Sequence, residues 1–486
     1  MKDKSPTIIL FFYRFMEFRL FFQNGLLKLL EKKIKLIVVV PEESVVGVKK
    51  IVGKNVIVEG SNLGKLTVLD ELKDKGINAL ISRILSLVYG IKKGKTENIT
   101  PKIHFESIIK LAKKKSFISR IVVNFIILFA KLASKSYLMR KLLQRLYAFT
   151  SKDKNINLYF TKYNPNLVVV GSCGLSADGW VMLEAKKKKI STLVVLQTWD
   201  RTSSKGYPTV QPDYMLTWSQ ITAIEANIFL DIPKKNIFIG GAPIWDDFFL
   251  KKPPFSRKKF CNITKLDFKK KIIVFAMNSL CYHESNMEVM AFLGSLIQKK
   301  KFLKSSQLFL RLHPSYFSAK KEKYEMDRIV SVLSKIPGIV INTPETDKDQ
   351  SGLLFTKLDQ DIQISSFYHC DLTISCLSTY MIESSIFNKP AINLMYGRWK
   401  TNLYDLDVSK VKVHHIQRIY NYKAIYQVRK LEDLLPTINK ILKNPNEKTG
   451  ERKNLVNSEI SKNQGCARTY FCKKLIQLAK FHHNKN

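Results

Sequence analysis

Residues 8–41 read IILFFYRFMEFRLFFQNGLLKLLEKKIKLIVVVP, and this stretch decides the fold. The apolar run Ile8–Phe12 predicts a strand, Phe18–Leu30 predicts an amphipathic helix, and Lys35–Val40 predicts a second strand that ends at Pro41. A strand, a helix and a strand within about 35 residues form a βαβ unit, which implies a parallel sheet. The beginning of the chain therefore indicates the α/β class.

The same alternation continues along the chain and predicts two doubly wound domains. A length of 486 residues exceeds what one compact core usually holds. Ligands of such domains bind at the carboxyl ends of the strands, which here predicts a site in the cleft between them. The predicted organisation is a Rossmann-like N-terminal domain at 1–250 with a basic, apolar helical insertion at 107–152, a linker at 251–271, a Rossmann-like C-terminal domain at 272–465 and a C-terminal helix at 466–486. The polar composition of residues 444–464 predicts a loop.

The composition is that of a folded protein with a large positive charge. Hydrophobic residues make up 45% and charged residues 25%, so disorder is not expected. The 81 Lys and Arg against 40 Asp and Glu give a net charge of +41. This excess indicates an anionic partner or compositional drift, and without an RNA-binding signature we expect no nucleic acid partner. The seven scattered cysteines form no CxxC and no zinc spacing, which predicts reduced thiols, no metal site and a cytoplasmic protein.

The segment 107–152 stands apart because it contains no Asp or Glu. Its helical pattern, bulky apolar residues and many cations are typical of helices that lie against anionic lipid head groups. A packed helical hairpin with a solvated basic face explains the same pattern equally well. The apolar run Ile121–Ala130 is too short to span a bilayer, and Arg14 interrupts the first apolar run too early for a signal peptide. We therefore expect no transmembrane segment, and a protein that is at most peripheral on the inner face of the cytoplasmic membrane.

A strand-to-helix turn at 372–383, LTISCLSTYMIE, predicts a site for a nucleotide. The free N–H groups at the start of such a helix, together with the Ser378 and Thr379 hydroxyls, form a ready anion site. Glu383 lies one turn further on, where its carboxylate can accept hydrogen bonds from a ribose diol. An ordinary helix N-cap explains the two hydroxyl residues without a ligand, so both interpretations stay open.

Arg311 and His313 end another predicted strand of the second half. Arg311 can neutralise a phosphate, and His313 can bind or protonate a phosphate oxygen. The alternative for His313 is a structural role in capping the turn.

Three carboxylates of the first half, Asp178, Glu184 and Asp200, follow predicted strands and are candidates for a general base. Their spacing singles out none of them.

The chain resembles a family of bacterial surface-carbohydrate glycosyltransferases of the GT-B fold. These are distant relatives of the CDP-glycerol glycerophosphotransferases and of the UDP-GlcNAc 2-epimerase group. The residues that carry the resemblance are Phe18-Arg19 to Asn24-Gly25, Thr198-Trp199-Asp200, Lys205-Gly206, Pro212-Asp213, Trp218, Glu225, Gly241-Ala242-Pro243, His313-Pro314, Ser378-Thr379 with Glu383, Lys389-Pro390 and Asn463–Arg468. The chain departs from the family pattern at Arg201, Ser219 and Asn463-Gln464, mainly on the side of the acceptor.

The resemblance implies a GT-B-like pair of Rossmann-like domains, the first for the acceptor and the second for the nucleotide donor, with the C-terminal helix packing back. The implied reaction moves a sugar, or a sugar-like phosphate group, from a nucleotide-activated donor to a surface glycan or lipid-linked acceptor, as in capsule or lipopolysaccharide synthesis. It implies no metal and no cofactor besides the nucleotide sugar. Arg311, His313, Ser378, Thr379 and Glu383 would bind the donor, and the acceptor-side residues would be Trp199, Lys205 and Arg19.

Two other functions stay open. A nucleotide-sugar epimerase or hydrolase of the same fold would need several carboxylates and histidines from the first half, but no histidine lies between Thr161 and Asp247. A non-enzymatic basic protein of the membrane surface would fit the charge but not the two α/β domains with a phosphate turn.

Overall fold

Over the residues described by a computed structural model, the chain forms two large parallel β-sheets covered by helices. It also forms two small two-stranded sheets, which pair Lys92–Lys93 with Thr96–Glu97 and Arg398–Lys400 with Asp405–Asp407. The structure describes residues 5–63, 75–88, 92–93, 96–97, 109, 116–151, 155–174, 176–317, 320–346, 354–400 and 405–484. The strands are β1 (Thr7–Phe11), β2 (Lys35–Pro41), β3 (Val56–Ser61), β4 (Lys92–Lys93), β5 (Thr96–Glu97), β6 (Leu167–Val170), β7 (Ser191–Val195), β8 (Tyr214–Thr217), β9 (Ile237–Ile239), β10 (Lys271–Ala276), β11 (Ser306–Arg311), β12 (Ile339–Asn342), β13 (Leu372–Ser375), β14 (Ala391–Leu394), β15 (Arg398–Lys400), β16 (Asp405–Asp407) and β17 (Tyr426–Val428).

Helices connect these strands and cover both sheets. Their bounds are α1 (Phe15–Phe18), a π-helical turn (Arg19–Gln23), α2 (Leu26–Leu30), α3 (Val45–Ile51), α4 (Gly76–Ser86), α5 (Phe117–Lys135), α6 (Tyr137–Thr150), α7 (Asn157–Tyr163), α8 (Ser176–Lys187), α9 (Arg201–Ser204), α10 (Gln220–Phe229), α11 (Arg257–Thr264), α12 (His283–Gln298), α13 (Lys320–Leu333), α14 (Lys357–His369), α15 (Tyr380–Ile386), α16 (His414–Asn421), α17 (Leu434–Lys443), α18 (Thr449–Glu459) and α19 (Ala467–His483).

Each large sheet has a point where the strand order reverses. Over the described residues the first sheet runs β3-β2-β1-β6-β7-β8-β9 and the second runs β12-β11-β10-β13-β14-β17, with all pairings parallel. The central strands are buried on both faces, which explains their continuous apolar runs. The reversals lie between β1 and β6 and between β10 and β13, and these are the places where α/β sheets bind ligands.

The last helix, α19, returns to the first half of the chain. The Asp246 carboxylate accepts hydrogen bonds from the backbone N–H groups of Ala467 at 2.9 Å and Arg468 at 2.8 Å. The Arg468 guanidinium also donates to the Asn24 carbonyl at 2.7 Å. The predicted architecture of two doubly wound domains with a C-terminal helix packing back is therefore confirmed.

Three segments differ from their predicted structure. The helix predicted for Phe18–Leu30 is broken at Gly25, whose φ of 74° is left-handed and suits glycine. The stretch 251–271 contains the helix α11, and the region 444–464, which was predicted to be a loop, contains the helix α18. In α18 the buried face includes the charged residues Arg452 and Glu459, so a count of apolar residues cannot detect its amphipathic pattern.

The described part of the insertion 107–152 is helical, while residues 107, 108, 110–115 and 152 lie outside the described residues. The helix α5 is longer than the apolar run Ile121–Ala130, because it extends beyond this run at both ends to a length of 19 residues. By length and composition alone, α5 is long and apolar enough to cross a membrane. Only 17% of its most apolar 18-residue window is buried in the protein.

Candidate active site

Glu383 on α15 joins the two halves of the molecule. Its Oε1 accepts a hydrogen bond from the indole N–H of Trp245 in the first half at 3.0 Å. The buried Oε2 has no hydrogen-bond partner among the described residues. Burial raises the pKa of the Glu383 carboxyl, although the nearby guanidinium groups of Arg19 and Arg311 act in the opposite direction. A buried oxygen without a partner is costly, so it marks a position where a ligand hydroxyl can bind.

The turn before α15 is held in an unusual conformation. Leu377 has a φ of 45°, which is uncommon for a residue with a side chain. Two asparagines fix this turn: Asn393 accepts from the Leu377 N–H at 2.8 Å, and Asn278 donates to the Cys376 carbonyl at 2.7 Å. Strained backbone of this kind concentrates at ligand sites.

The two hydroxyl residues of this turn differ in their roles. Ser378 Oγ accepts from the Tyr380 N–H at 3.3 Å, so it acts as a helix cap. Thr379, at the N-cap of α15, makes no side-chain capping bond, and both residues are partly exposed. The capping interpretation therefore holds for Ser378 and leaves the Thr379 hydroxyl for another partner.

Arg311 and His313 lie at the carboxyl end of β11 but in different surroundings. Arg311 is buried and donates to Asn342 at 2.5 Å and to Asp359 at 2.6 Å. Its positive charge is thus already paired inside the protein. His313 Nδ1 accepts from the Ser315 N–H at 3.1 Å, and burial lowers the His313 pKa to about 4. The ring is neutral at pH 7 and carries its proton on Nε2.

Asp178 lies at the strand reversal of the first sheet. Its Oδ2 accepts from the Arg14 guanidinium at 2.5 Å, and its buried Oδ1 has no hydrogen-bond partner among the described residues. The same guanidinium pairs with Glu17, which also accepts from Gln197 at 2.9 Å. Burial raises the pKa of the Asp178 carboxyl to about 7, and the Glu17 carboxylate acts in the same direction. Such a pKa is typical of a general base.

Asp200 has a different environment at the contact between the two halves. Burial favours its neutral form, but His415, Arg201 and the hydroxyls of Thr198 and Ser204 bring its pKa below the usual value. His415 belongs to α16 of the second half, and its ring meets Trp199 edge to face at 5.0 Å. Burial lowers the His415 pKa to about 4, and its Nδ1 has no hydrogen-bond partner in the described part of the chain.

Glu184, Lys205 and Arg19 occupy three separate places. Glu184 sits six residues beyond Asp178 on α8, about 9 Å further along the helix axis and further from the strand ends. It pairs with Lys187 at 2.6 Å. Lys205 follows α9, with its backbone against Gly174. Arg19, in the π-helical turn of the first half, lies near Glu383 of the second half.

A buried ion network connects the two halves beside Asp200. Glu225 on α10 accepts from the Arg418 guanidinium and from His414 at 2.9 Å, both on α16. Arg418 also pairs with Glu459 at 2.8 Å and donates to the Trp199 carbonyl at 3.2 Å. Although burial opposes it, Arg418 and His414 lower the Glu225 pKa to about 2.

Sequence reasoning missed several of these side chains, which are Arg14, Glu17, Gln197, Trp245, His414, His415 and Arg418. Only the spacing of His414 and Arg418, four residues apart on one helix face, offered a sequence signal. Among the described residues, no group of three or more His, Cys, Asp or Glu is arranged to hold a metal ion.

The two doubly wound domains, the cleft between them and the returning helix define the GT-B fold, as the sequence resemblance implied. Comparison with solved structures supports this assignment at the level of fold. UDP-GlcNAc 2-epimerase from Neisseria meningitidis, bound to UDP-GlcNAc, is 11% identical with a TM-score of 0.50, covering 97% of this chain and 100% of that chain. A Listeria monocytogenes protein assigned as a UDP-N-acetylglucosamine 2-epimerase is 10% identical with a TM-score of 0.52, covering 98% and 96%.

A glycosyltransferase from Rickettsia africae is 12% identical with a TM-score of 0.48, and the alignment covers 98% of both chains. No protein-family model matches the sequence. No curated protein matches it either.

Proposed function

We propose that the protein is a GT-B glycosyltransferase that moves a sugar, or a sugar-like phosphate group, from a nucleotide-activated donor to a surface glycan or lipid-linked acceptor. The observation that carries the proposal is Glu383, a buried carboxylate with one oxygen unpartnered among the described residues at the carboxyl end of the second sheet. Trp245 from the opposite half fixes its other oxygen. A ribose diol donating to Oε2 would satisfy the unpaired group and would tie nucleotide binding to the contact between the domains.

The donor phosphates would bind beside this carboxylate. Thr379 offers a hydroxyl, and neutral His313 offers its Nε2–H, which can donate to a phosphate oxygen as the leaving nucleotide gains negative charge. Arg19 would add a positive charge on this side, whereas Arg311 would act through the protein, because Asp359 already pairs with it. These groups would stabilise the leaving group without a metal ion.

Asp178 is the carboxylate best suited to be the base. With a pKa of about 7 it can take the proton of the acceptor hydroxyl while that oxygen attacks the sugar, and the nucleotide leaves with the bonding electrons. Asp200 is ionised but a weaker base, since its pKa is lowered. Glu184 is ion-paired with Lys187 and distant from the strand ends. This assignment describes an inverting transfer.

The second candidate is a nucleotide-sugar epimerase or hydrolase. The absence of histidines between Thr161 and Asp247 weighed against it. However, His415 of the second half lies against Trp199 and close to Asp200. That pair restores the histidine and carboxylate combination that such an enzyme would need. UDP-GlcNAc, which occupies one of the structural neighbours, is therefore the first substrate to examine.

A panel of UDP-, CDP- and CMP-linked donors tests both functions. We expect one donor to raise the unfolding temperature of the protein and to be consumed only when an acceptor glycan or lipid is supplied, with the same rate in EDTA. Release of an epimerised sugar nucleotide without any acceptor would identify the second candidate instead. If no donor protects the protein or is turned over, the proposal fails.

A further inference from the structure

The helical pair α5 and α6 concentrates exposed apolar side chains. Twelve of the twenty-six exposed large hydrophobic residues of the described chain lie between positions 117 and 150. Phe117 and Ile118 are 75% and 73% exposed on α5, and Leu138 and Phe149 are 78% and 89% exposed on α6. A contiguous apolar surface of this kind on a folded protein marks an interaction site.

The charged residues that this segment itself contributes are all positive. The whole segment 107–152 contains no Asp or Glu. Lys135 and Arg145 are exposed, and the half-buried Lys141 lies with its Nζ 5.4 Å from the centre of the Tyr137 ring. Arg140 is different, because it is buried and pairs with Asp231 at 2.8 Å. Apolar side chains flanked by cations complement a surface that is apolar inside and anionic outside.

We propose that α5 and α6 dock the protein onto the surface of a bilayer containing anionic lipids, with both helices lying in the plane of the interface. The function proposed above makes no use of this surface, and the docking does not depend on the nucleotide or sugar.

Docking in the plane fits the structure better than spanning. The helix α5 is about 28 Å long, close to the thickness of the hydrocarbon core of a bilayer. However, Ile126, Ala130 and Ala133 are buried against the protein. The Arg140 guanidinium also donates to the Ala133 carbonyl at 2.8 Å, which ties the end of α5 to α6 and, through Asp231, to the first domain. Spanning would break these contacts, whereas docking keeps them.

Docking on lipid also fits better than docking on a second copy. A symmetric contact between two such faces would place cations against cations, with no carboxylate from this segment to compensate them. Anionic head groups supply the missing charge without any rearrangement.

Sedimentation of the full-length chain with vesicles tests the proposal. We expect binding to vesicles of phosphatidylcholine with about a third phosphatidylglycerol and little binding to phosphatidylcholine alone. The variant Lys135→Gln/Lys141→Gln/Arg145→Gln should bind roughly 100-fold more weakly, at about fivefold per cation. The variant Leu138→Glu/Leu142→Glu should lose binding, because both side chains are at least 50% exposed and their replacement leaves the core intact.

Matched controls in the second half separate this surface from general charge and hydrophobicity. Lys299→Gln/Lys300→Gln/Lys301→Gln removes three exposed cations, and Leu303→Glu replaces a leucine that is 57% exposed. Both controls should bind like the unaltered protein, and circular dichroism should be the same for all variants. The proposal would be overturned if the controls lost vesicle binding equally, or if binding did not depend on anionic lipid. It would also be overturned if only detergent released the protein from the vesicles, or if the protein associated with itself through this face without binding vesicles.

Discussion

The ion network between the two halves makes a quantitative prediction for Glu225→Gln. The substitution removes one buried negative charge but keeps the size of the side chain and its contact with Thr202 at 2.5 Å. A pKa of about 2 against an ordinary value of 4.5 corresponds to about 3 kcal/mol in favour of the charged form, at about 1.4 kcal/mol per pKa unit. Because Arg418 keeps its second partner, Glu459, the guanidinium is not left unpaired. We therefore expect Glu225→Gln to lower the free energy of unfolding by about 3 kcal/mol and not more.

The pH dependence has a definite sign. The folded-state pKa of Glu225 lies below its unfolded value, so the stabilisation is fully present above pH 4.5 and disappears as the pH falls towards 2. The difference in unfolding free energy between the unaltered protein and Glu225→Gln should thus be largest near pH 7 and shrink on acidification. Urea unfolding followed by tryptophan fluorescence measures this difference, since Trp199 lies against the network.

An exposed ion pair provides the control. Lys323 and Asp327 pair at 2.5 Å on α13, but their side chains are 49% and 58% exposed. Asp327→Asn should therefore cost less than about 1 kcal/mol. If Glu225→Gln is no more destabilising than this control at pH 7, or if its deficit is the same at pH 3, the network does not hold the two halves together as described.

Three further substitutions test the site and the network. Asp178→Asn should lower kcat about 100-fold with an unchanged donor Kd. In the unaltered enzyme kcat should rise with pH through about 7, because the base acts in its ionised form. A kcat that does not change with pH would exclude Asp178 as the base. Glu383→Gln should weaken donor binding by about tenfold in calorimetry while leaving the free energy of unfolding little changed, and unaltered affinity would remove the ribose from this position. Arg418→Leu leaves two buried carboxylates without their cation, so the free energy of unfolding should fall by about 3–5 kcal/mol at pH 7. Part of this loss should disappear towards pH 4 in urea unfolding, because the carboxylates can take up protons there.

The strands of both sheets were readable from the sequence for a physical reason. Parallel strands buried on both faces appear as continuous apolar runs, so Ile8–Phe12 predicted the strand Thr7–Phe11 almost residue for residue. The helix that carries Glu383 was predictable in the same way, because a hydroxyl-rich break follows the buried strand β13. Short or polar-faced elements such as α18 were missed, since their buried faces include charged side chains.

The partners within the site could not be read from the sequence, because they depend on how the chain crosses over. Asp178 and Arg14 are 164 positions apart and meet only because β1 and β6 are neighbours in the sheet. His415 approaches Asp200 only because the second domain packs against the first. The candidate carboxylates looked equivalent in sequence, but burial raises the pKa of Asp178, whereas His415 and Arg201 lower the pKa of Asp200 against the effect of burial. A pKa is a property of surroundings, so local spacing alone cannot rank candidate bases.

The position of the helical pair connects the two proposals without making one depend on the other. The side chain of Gln144 on α6 donates to the Pro208 carbonyl at 2.8 Å, and the Tyr207 N–H donates to the Leu85 carbonyl at the end of α4 at 3.2 Å. The helical pair α5 and α6 thus contacts the loop that follows Asp200 and Lys205. Docking of α5 and α6 on a bilayer would bring this loop, on the proposed acceptor side, close to the lipid. The turn before α15, which is proposed to bind the donor, belongs to the other domain. A lipid-linked acceptor would then reach the cleft from the membrane and a soluble nucleotide sugar from the aqueous phase. Vesicle binding without transferase activity would support the docking surface and contradict only the proposed enzymatic function.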